Sequence, residues 1–382
     1  MIIYDIAMKI KTITCHDVYN YGASLQAYAL QKYLSKLTHN VEIIDYLPDY
    51  LLVNYRVCWK RYNVLPESRL YKYRSNFLVD FAYRVKKSFK KIRFIIEKHG
   101  RKVAFDKFKR ERLICTDRTY SSCEEMREAN LQADLFIAGS DQIWNPLFTN
   151  GRDPSFYLQF TKAKKISYAA SFGVSLLGDE DRNNMRKWIS SFSAVSVREK
   201  TGIKLLKSLG LINGVQVCDP VFLLNKEEWL KIASNKYNKD PKIVVYNLGE
   251  LDPIIKECAL SLSRKTGYKI YSIEERGNIN YADIRVKNAG PSEFIELFGT
   301  AAHVVTNSFH ATAFSIIFNI DFYTFIKNNT SSRIVDVLTD FGLQQRLNSK
   351  VYEGSIDWRK ISDRTDDYKA KGVNYLKDQL KL

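Results

Sequence analysis

The segments MKIKTIT at residues 8–14, SLQAYALQKYLSK at 24–36 and VEIIDY at 41–46 read as strand, helix and strand. Together they make an opening βαβ unit. A βαβ crossover returns its second strand parallel to the first, so a parallel sheet is predicted. The loop between the first strand and the helix holds Tyr19-Asn20-Tyr21-Gly22-Ala23, and Pro48 closes the unit.

Outward from this unit the same rhythm continues. Residues 133–138 (ADLFIA) form a predicted strand ending at Gly139-Ser140-Asp141-Gln142, 165–170 another, and 194–197 a third running into Arg198-Glu199. Val215–Cys218 precedes Asp219-Pro220, and KIVVYN follows Pro241. The second half alternates likewise, with helices near 252–265, 292–299, from about 309, and 332–340, and strands at 268–273, 302–306 and 321–325. Such alternation predicts parallel sheets with helices on both faces. A chain of 382 residues is long for one core. The expectation is therefore α/β, with two Rossmann-like parallel-sheet domains facing a cleft in a GT-B-like architecture. The polar segment 233–241 is the candidate linker. It divides residues 1–235, with a basic helical insertion at about 55–125, from residues 236–382.

With 45% hydrophobic residues and no low-complexity tract, the chain can bury a sizeable core. Its six cysteines are far apart and form no C-x-x-C pair, which fits reduced, buried thiols. Residues 1–30 lack a signal-peptide pattern and no eighteen apolar residues run together, so a cytoplasmic protein is expected. Of the formal charge of +17, the stretch Arg56–Arg112 carries +14, from nineteen basic and five acidic residues. Within it Leu78, Phe81, Val85, Phe89, Ile92 and Ile96 recur at steps of three and four between Lys86, Lys87, Lys90, Lys91 and Arg93. Such a basic amphipathic helix either lies on an anionic membrane surface or packs on its own protein.

In open parallel sheets, ligands bind beyond the carboxyl ends of the strands. Polar residues directly after a predicted strand are therefore the site candidates. Asn307, Ser308 and His310 qualify, at a strand-to-helix junction whose free N–H groups favour an anion. A helix cap or a buried histidine is the plain alternative for His310. Arg198 qualifies too, as a guanidinium able to grip a carboxylate or phosphate or, alternatively, to pair with Glu199. The run 139–146 joins Asp141, Gln142 and Trp144, a mixture suited to sugar hydroxyls, although Trp144 also reads as core and Asp141 as a cap. Asn20, Tyr21 and Gly22 stand where the first sheet presents a ligand, and Gly22 permits close backbone approach. His16 follows a strand but has no partner spacing. There is no G-x-G-x-x-G, Walker A, H-E-x-x-H or G-x-S-x-G motif, and no metal-ligand spacing, so no metal is expected.

Taken together, Asn20-Tyr21-Gly22, the run 139–145, Val195-Ser196-Val197-Arg198-Glu199, Asp219-Pro220-Val221 and Thr306–Thr312 resemble the polysaccharide pyruvyl transferase family. The resemblance implies a GT-B-like fold and transfer of a pyruvyl unit from phosphoenolpyruvate to a sugar, giving a pyruvate ketal and phosphate. It implies no cofactor beyond that co-substrate. By position, His310 matches the family's catalytic histidine and Arg198 its phosphoenolpyruvate-binding arginine, with Asp141 a weaker candidate for handling the acceptor proton. Many members carry an arginine two residues before the histidine and a glycine after it, where this chain has Ser308 and Ala311. Lys327 or Arg333 is then expected to supply the missing charge. Acceptors in capsule, exopolysaccharide and cell-wall pathways are often carried on polyprenyl phosphates, which gives the basic helix a role at the inner membrane face. A sugar-nucleotide glycosyltransferase is the rival enzyme. Nucleic acid is disfavoured as a partner because the chain contains no known nucleic-acid module.

Overall fold

A computed structural model describes residues 8–38, 40–51, 77–274, 279–326, 332–349 and 354–382. Lys327 and much of the first half of the basic stretch lie outside the described residues. Each of two lobes is built on a parallel sheet.

The first lobe contains β1 (Lys9–Ile13), α1 (Tyr21–Leu34), β2 (Asn40–Ile43), α2 (Phe77–Glu97), α3 (His99–Arg112), α4 (Cys123–Glu128), β3 (Leu135–Ala138) and β4 (Lys165–Ser167). It continues with α5 (Asp179–Ile189), β5 (Ser196–Val197), α6 (Lys200–Ser208), β6 (Val215–Gln216) and α7 (Lys226–Leu230). The sheet order is β2-β1-β3-β4, and single bridges from Ile166 to Ala194 and Ala170 to Val197 hang the β5-β6 pair on its β4 edge. The second lobe has β7 (Lys242–Tyr246), α8 (Pro253–Thr266), β8 (Lys269–Ile273), β9 (Ile284–Val286), α9 (Pro291–Gly299), β10 (Ala301–Thr306), α10 (Phe309–Ile317), β11 (Asp321–Thr324), α11 (Ser332–Phe341) and α12 (Trp358–Leu380). Its strands lie in the order β11-β10-β7-β8-β9. Every strand pairing among the described residues is parallel. Continuous apolar runs such as LFIA in β3, buried throughout, are what a sheet covered on both faces requires.

The lobes share one core. Tyr21, on the first turn of α1, stacks on Phe294 of α9 with ring centroids 4.8 Å apart and meets Tyr246 of β7 edge-on at 5.5 Å. Its hydroxyl donates to the Ala289 carbonyl at 2.8 Å. Tyr21, expected to touch ligand, is thus an interlobe core residue and only 1% exposed. Its burial removes a large apolar ring from water while its hydroxyl keeps a partner.

Although α12 comes last in the sequence, after the strands of the second lobe, it packs back against the first. The Tyr375 hydroxyl donates to Ser167 O at 2.9 Å, and Lys164 Nζ donates to Gln379 O at 2.8 Å. Gly372 permits this approach, because a Cβ there would lie 2.3 Å from the Tyr168 hydroxyl and 2.7 Å from Cys218 Sγ. Both neighbours are fully buried and have little room to retreat. Gly372→Val should therefore cost about 1–3 kcal/mol of stability through overpacking, measured as a lowered urea midpoint with unchanged slope.

Candidate active site

Four chain crossings deliver their carboxyl ends to the space between the lobes. β3 leads to Asp141, β5 to Arg198, β6 to Asp219 and β10 to the Asn307–His310 turn. They surround a cleft of about 540 Å³ lined by Asn20, Asp141, Gln142, Ser308, His310 and Arg333 among others.

Local hydrogen bonding sets each turn. Asn20 caps α1, its Oδ1 accepting from Ala23 N at 3.2 Å, and Ser308 caps α10 by accepting from Ala311 N at 3.4 Å. Asn307 Oδ1 accepts from Leu248 N at 2.7 Å while its amide donates to Leu248 O at 3.0 Å, tying the end of β10 to the loop after β7. Asn20, Asn307 and Ser308 therefore line the cleft with side chains already engaged in shaping it. Gly139 leads into Asp141 with φ 124°, and a Cβ there would sit 2.1 Å from Tyr168 O, so only glycine fits. Asp141 itself has φ 67°, a left-handed conformation that aspartate tolerates.

At the floor of the cleft lies a charged cluster assembled from both lobes. Asp219 is fully buried. Its Oδ1 accepts from Val221 N at 3.0 Å, its Oδ2 accepts from Arg198 Nη1 at 2.6 Å, and the same Oδ2 lies 3.5 Å from His310 Nε2. Burial works against this carboxylate, but His310, Arg198 and the Val221 N–H outweigh it and hold its pKa well below the usual range. Arg198 is 2% exposed, with Asp141 at 3.7 Å and Glu199 at 3.9 Å from Nη2. Burial opposes its charge, and Asp219, Glu199 and Asp141 more than compensate, pushing its pKa up. Buried Glu199 is shifted upward by desolvation despite Arg198 and a hydrogen bond from Ser171.

Phe309 packs against two guanidiniums, with Arg198 Cζ 4.5 Å and Arg333 Cζ 6.0 Å from its ring centroid. The terminal nitrogens of Arg333 lie 3.1 Å from the Gln142 carboxamide, whose oxygen, turned toward them, accepts from both. Burial and the nearby Arg198 charge lower the Arg333 pKa. Arg198 Nε and Nη2 and Arg333 Nε have no hydrogen-bond partner among the described residues. Buried donors left open in this way favour an anion.

Three expected site residues are placed otherwise. Tyr21 belongs to the interlobe core described above. Trp144 is fully buried, stacked on Tyr157 at 5.5 Å with its indole N–H donating to Phe156 O at 3.2 Å, so it supports the loop carrying Asp141 from behind. Arg198, expected to grip the donor directly, sits behind the floor and does not line the cleft. The strand-end rule that selects Arg198 also selects Asp219, which the sequence motifs alone do not mark as a site residue. Gly22 acquires a specific reason, since a Cβ at that position would lie 2.0 Å from His310 Nδ1.

His16, which had no partner by spacing, finds one in space. Its Nε2 lies 2.9 Å from Asp45 Oδ1 and its Nδ1 3.3 Å from Thr14 O, so both nitrogens face acceptors. Cys115 stands nearby, and the three ligand atoms fall within 4.8 Å of one another. Asp45 also accepts from Lys109 Nζ at 2.7 Å and Thr119 Oγ1 at 2.6 Å, so the cluster is an ion network with its positive charge already supplied.

Two outcomes follow from this geometry. Gly22→Ala should move the His310 ring by about 1.5 Å to regain van der Waals contact, visible in a crystal structure of the variant; an unmoved ring would contradict the packing. Burial lowers the His16 pKa but Asp45 and Cys115 raise it further, to about 9 from the ordinary 6.5. A folded-state pKa raised in this way stabilises fully below about pH 6.5 and is lost as pH rises toward 9. The stability difference between wild type and His16→Gln should therefore shrink across that window, by on the order of 3 kcal/mol, in denaturation curves taken at pH 6 and pH 9.5.

MnaA from S. aureus, solved with UDP, superimposes with a TM-score of 0.51 at 11% identity, over 98% of this chain and 97% of that one. A UDP-GlcNAc 2-epimerase from Methanocaldococcus jannaschii gives 0.48 at 12%, over 95% and 93%, and a family 9 glycosyl transferase from Veillonella parvula gives 0.37 at 10%, over 97% and 99%. The first of these likenesses shows the fold, which is GT-B-like. No curated protein sequence matches the chain. The sequence signature of polysaccharide pyruvyl transferases, by contrast, matches residues 20–329, and the chain belongs to that enzyme family.

Proposed function

We propose that the enzyme transfers a pyruvyl unit from phosphoenolpyruvate to a sugar of a capsular, exopolysaccharide or cell-wall glycan precursor. The observation carrying this reading is His310 on the floor of the interlobe cleft, beside the buried Arg198 and the half-buried Arg333, guanidiniums that still have open N–H groups. An imidazolium suits protonation of the donor's methylene carbon, and the guanidiniums suit its carboxylate and phosphate.

Protonation at C3 by His310 leaves a cationic C2, which an acceptor hydroxyl attacks while its proton passes to Asp141. Phosphate then leaves C2, taking up that proton, and a second hydroxyl closes the ketal as its proton returns to His310. Arg333 lines the cleft and is the direct anion contact, taking the place of the arginine absent at Ser308. Arg198, packed at the Phe309 ring and outside the cleft lining, lends its charge from there. Lys327 is a further donor contact by its place in the sequence after the strand at 321–325.

The acceptor is read as polyprenyl-linked, reached from the cytoplasmic face of the membrane. No helix among the described residues is long and apolar enough to cross a bilayer. On α2, however, Phe89 and Ile96 are each 69% exposed beside Lys86, Lys87, Lys90 and Arg93. That combination fits an anionic lipid surface.

The test is phosphate release requiring both phosphoenolpyruvate and a glycan acceptor. His310→Ala should lose about 100-fold or more, and Arg333→Gln should raise the phosphoenolpyruvate KM about tenfold with little change for the acceptor. Turnover of a nucleotide sugar without phosphoenolpyruvate would overturn the assignment. In a deletion strain, glycan repeats should be about 70 Da lighter, the mass of the ketal-linked unit. Co-sedimentation with anionic liposomes should fall when Lys86, Lys87, Lys90 and Lys91 are neutralised together, and undiminished binding would remove the membrane role.

A further inference from the structure

We propose that Asp219 is the positioning residue for His310, fixing the imidazole with its hydrogen on Nε2 and leaving Nδ1 to carry the proton exchanged with substrate. The kinetic consequence rests on the pyruvyl-transfer reading, whereas the tautomer does not.

Three observations converge on this assignment. First, Asp219 is fully buried, and a buried carboxylate is tolerated only where donors surround it. Val221 N–H and Arg198 Nη1 occupy it from its own lobe, and Ser140 Oγ lies 3.4 Å from Oδ2. The remaining neighbour of Oδ2 is His310 Nε2, which arrives from the other lobe at 3.5 Å.

Second, Nε2 is enclosed and makes no hydrogen bond among the described residues, so the Asp219 carboxylate 3.5 Å away is the acceptor it faces. A neutral imidazole carries one ring hydrogen. Placing it on Nε2 points a donor at the carboxylate, whereas placing it on Nδ1 would set the Nε2 lone pair against negative charge. Catalytic hydrogen bonds are often long before substrate binds, so 3.5 Å is a distance that closure of the cleft can shorten.

Third, Gly22 leaves the Nδ1 side of the ring free of a side chain, where a Cβ would lie 2.0 Å from that nitrogen. The ring is thus held between a carboxylate and a bare Cα, both supplied by the first lobe. Arg198 gains a role in the same arrangement. It anchors Asp219 so that the carboxylate cannot turn away from the histidine. In the reaction, Nδ1–H of the imidazolium gives its proton to C3 of the enol, the Nε2–H imidazole remains, and Nδ1 recovers a proton from the second acceptor hydroxyl.

The deciding measurement is nitrogen NMR of ¹⁵N-histidine-labelled wild-type enzyme at a pH where His310 is neutral. The chain has five histidines, and the resonance is assigned by its loss in His310→Gln. A Nε2–H tautomer is expected, and a Nδ1–H tautomer overturns the proposal whether or not the enzyme uses phosphoenolpyruvate. In parallel, Asp219→Asn should lower kcat about 100-fold or more while the phosphoenolpyruvate KM stays within about threefold. A folded variant with unchanged kcat, or with its loss confined to KM, also overturns it. Arg198 and Val221 donate to different oxygens of Asp219, and asparagine sets its NH2 against one of them, so this variant is destabilised; if it fails to fold, the wild-type tautomer alone decides. Absence of phosphate release from wild type with phosphoenolpyruvate and acceptor would defeat the pyruvyl reading and leave the tautomer result standing.

Discussion

The carboxylate of Asp219 ties the rest of the cleft together, because it has no access to water and must find its donors within the protein. Its anchors, Arg198 and the Val221 N–H, belong to the first lobe. The histidine it faces belongs to the second. The two sheets therefore cannot be set at an arbitrary angle without separating a buried charge from a neighbour that helps to stabilise it. Tyr21, stacked on Phe294 and bonded to Ala289, fixes that angle from the apolar side. One turn of α1 thus carries both Tyr21, which welds the lobes, and Gly22, which makes room for the imidazole.

Continuously buried strands such as β3 and β7 are plain in the sequence because a sheet covered on both faces favours apolar runs. His310 is also legible, since its place after β10 follows from the order of elements alone. Legibility fails where a role depends on which way a side chain turns. Tyr21 and Gly22 are adjacent in sequence, yet about 100° of helical rotation separates core from site. Arg198 and Asp219 are 21 positions apart, and only the pairing of the short β5 and β6 brings them together. Those strands are too brief to carry a periodic pattern. Trp144 has the composition of a sugar-binding loop and the environment of a core residue. Composition does not distinguish the two.

The pair Arg198 and Arg333 shows how the site keeps charge in reserve. Like charges gathered at the Phe309 ring repel, and burial adds to the cost. Asp219, Asp141 and Glu199 relieve Arg198, while Arg333 sits deeper in the deficit and opens onto the cleft. An entering anion would relieve that repulsion and be held more strongly than at a solvent-exposed lysine. The same arithmetic shows how a chain with serine at 308 still presents positive charge to the cleft. A guanidinium from α11 reaches it from a different direction.

Helix α12 has a consequence for how the protein is made. Its Gly372, Tyr375 and Gln379 close over Tyr168, Cys218, Ser167 and Lys164, residues a ribosome has produced some two hundred positions earlier. The first lobe therefore emerges with one flank bare and stays so until residues 358–380 arrive. Synthesis cannot proceed lobe by lobe to a finished product. Residues 1–235 produced alone would display the apolar surface around Tyr168 and Cys218 to any chaperone present.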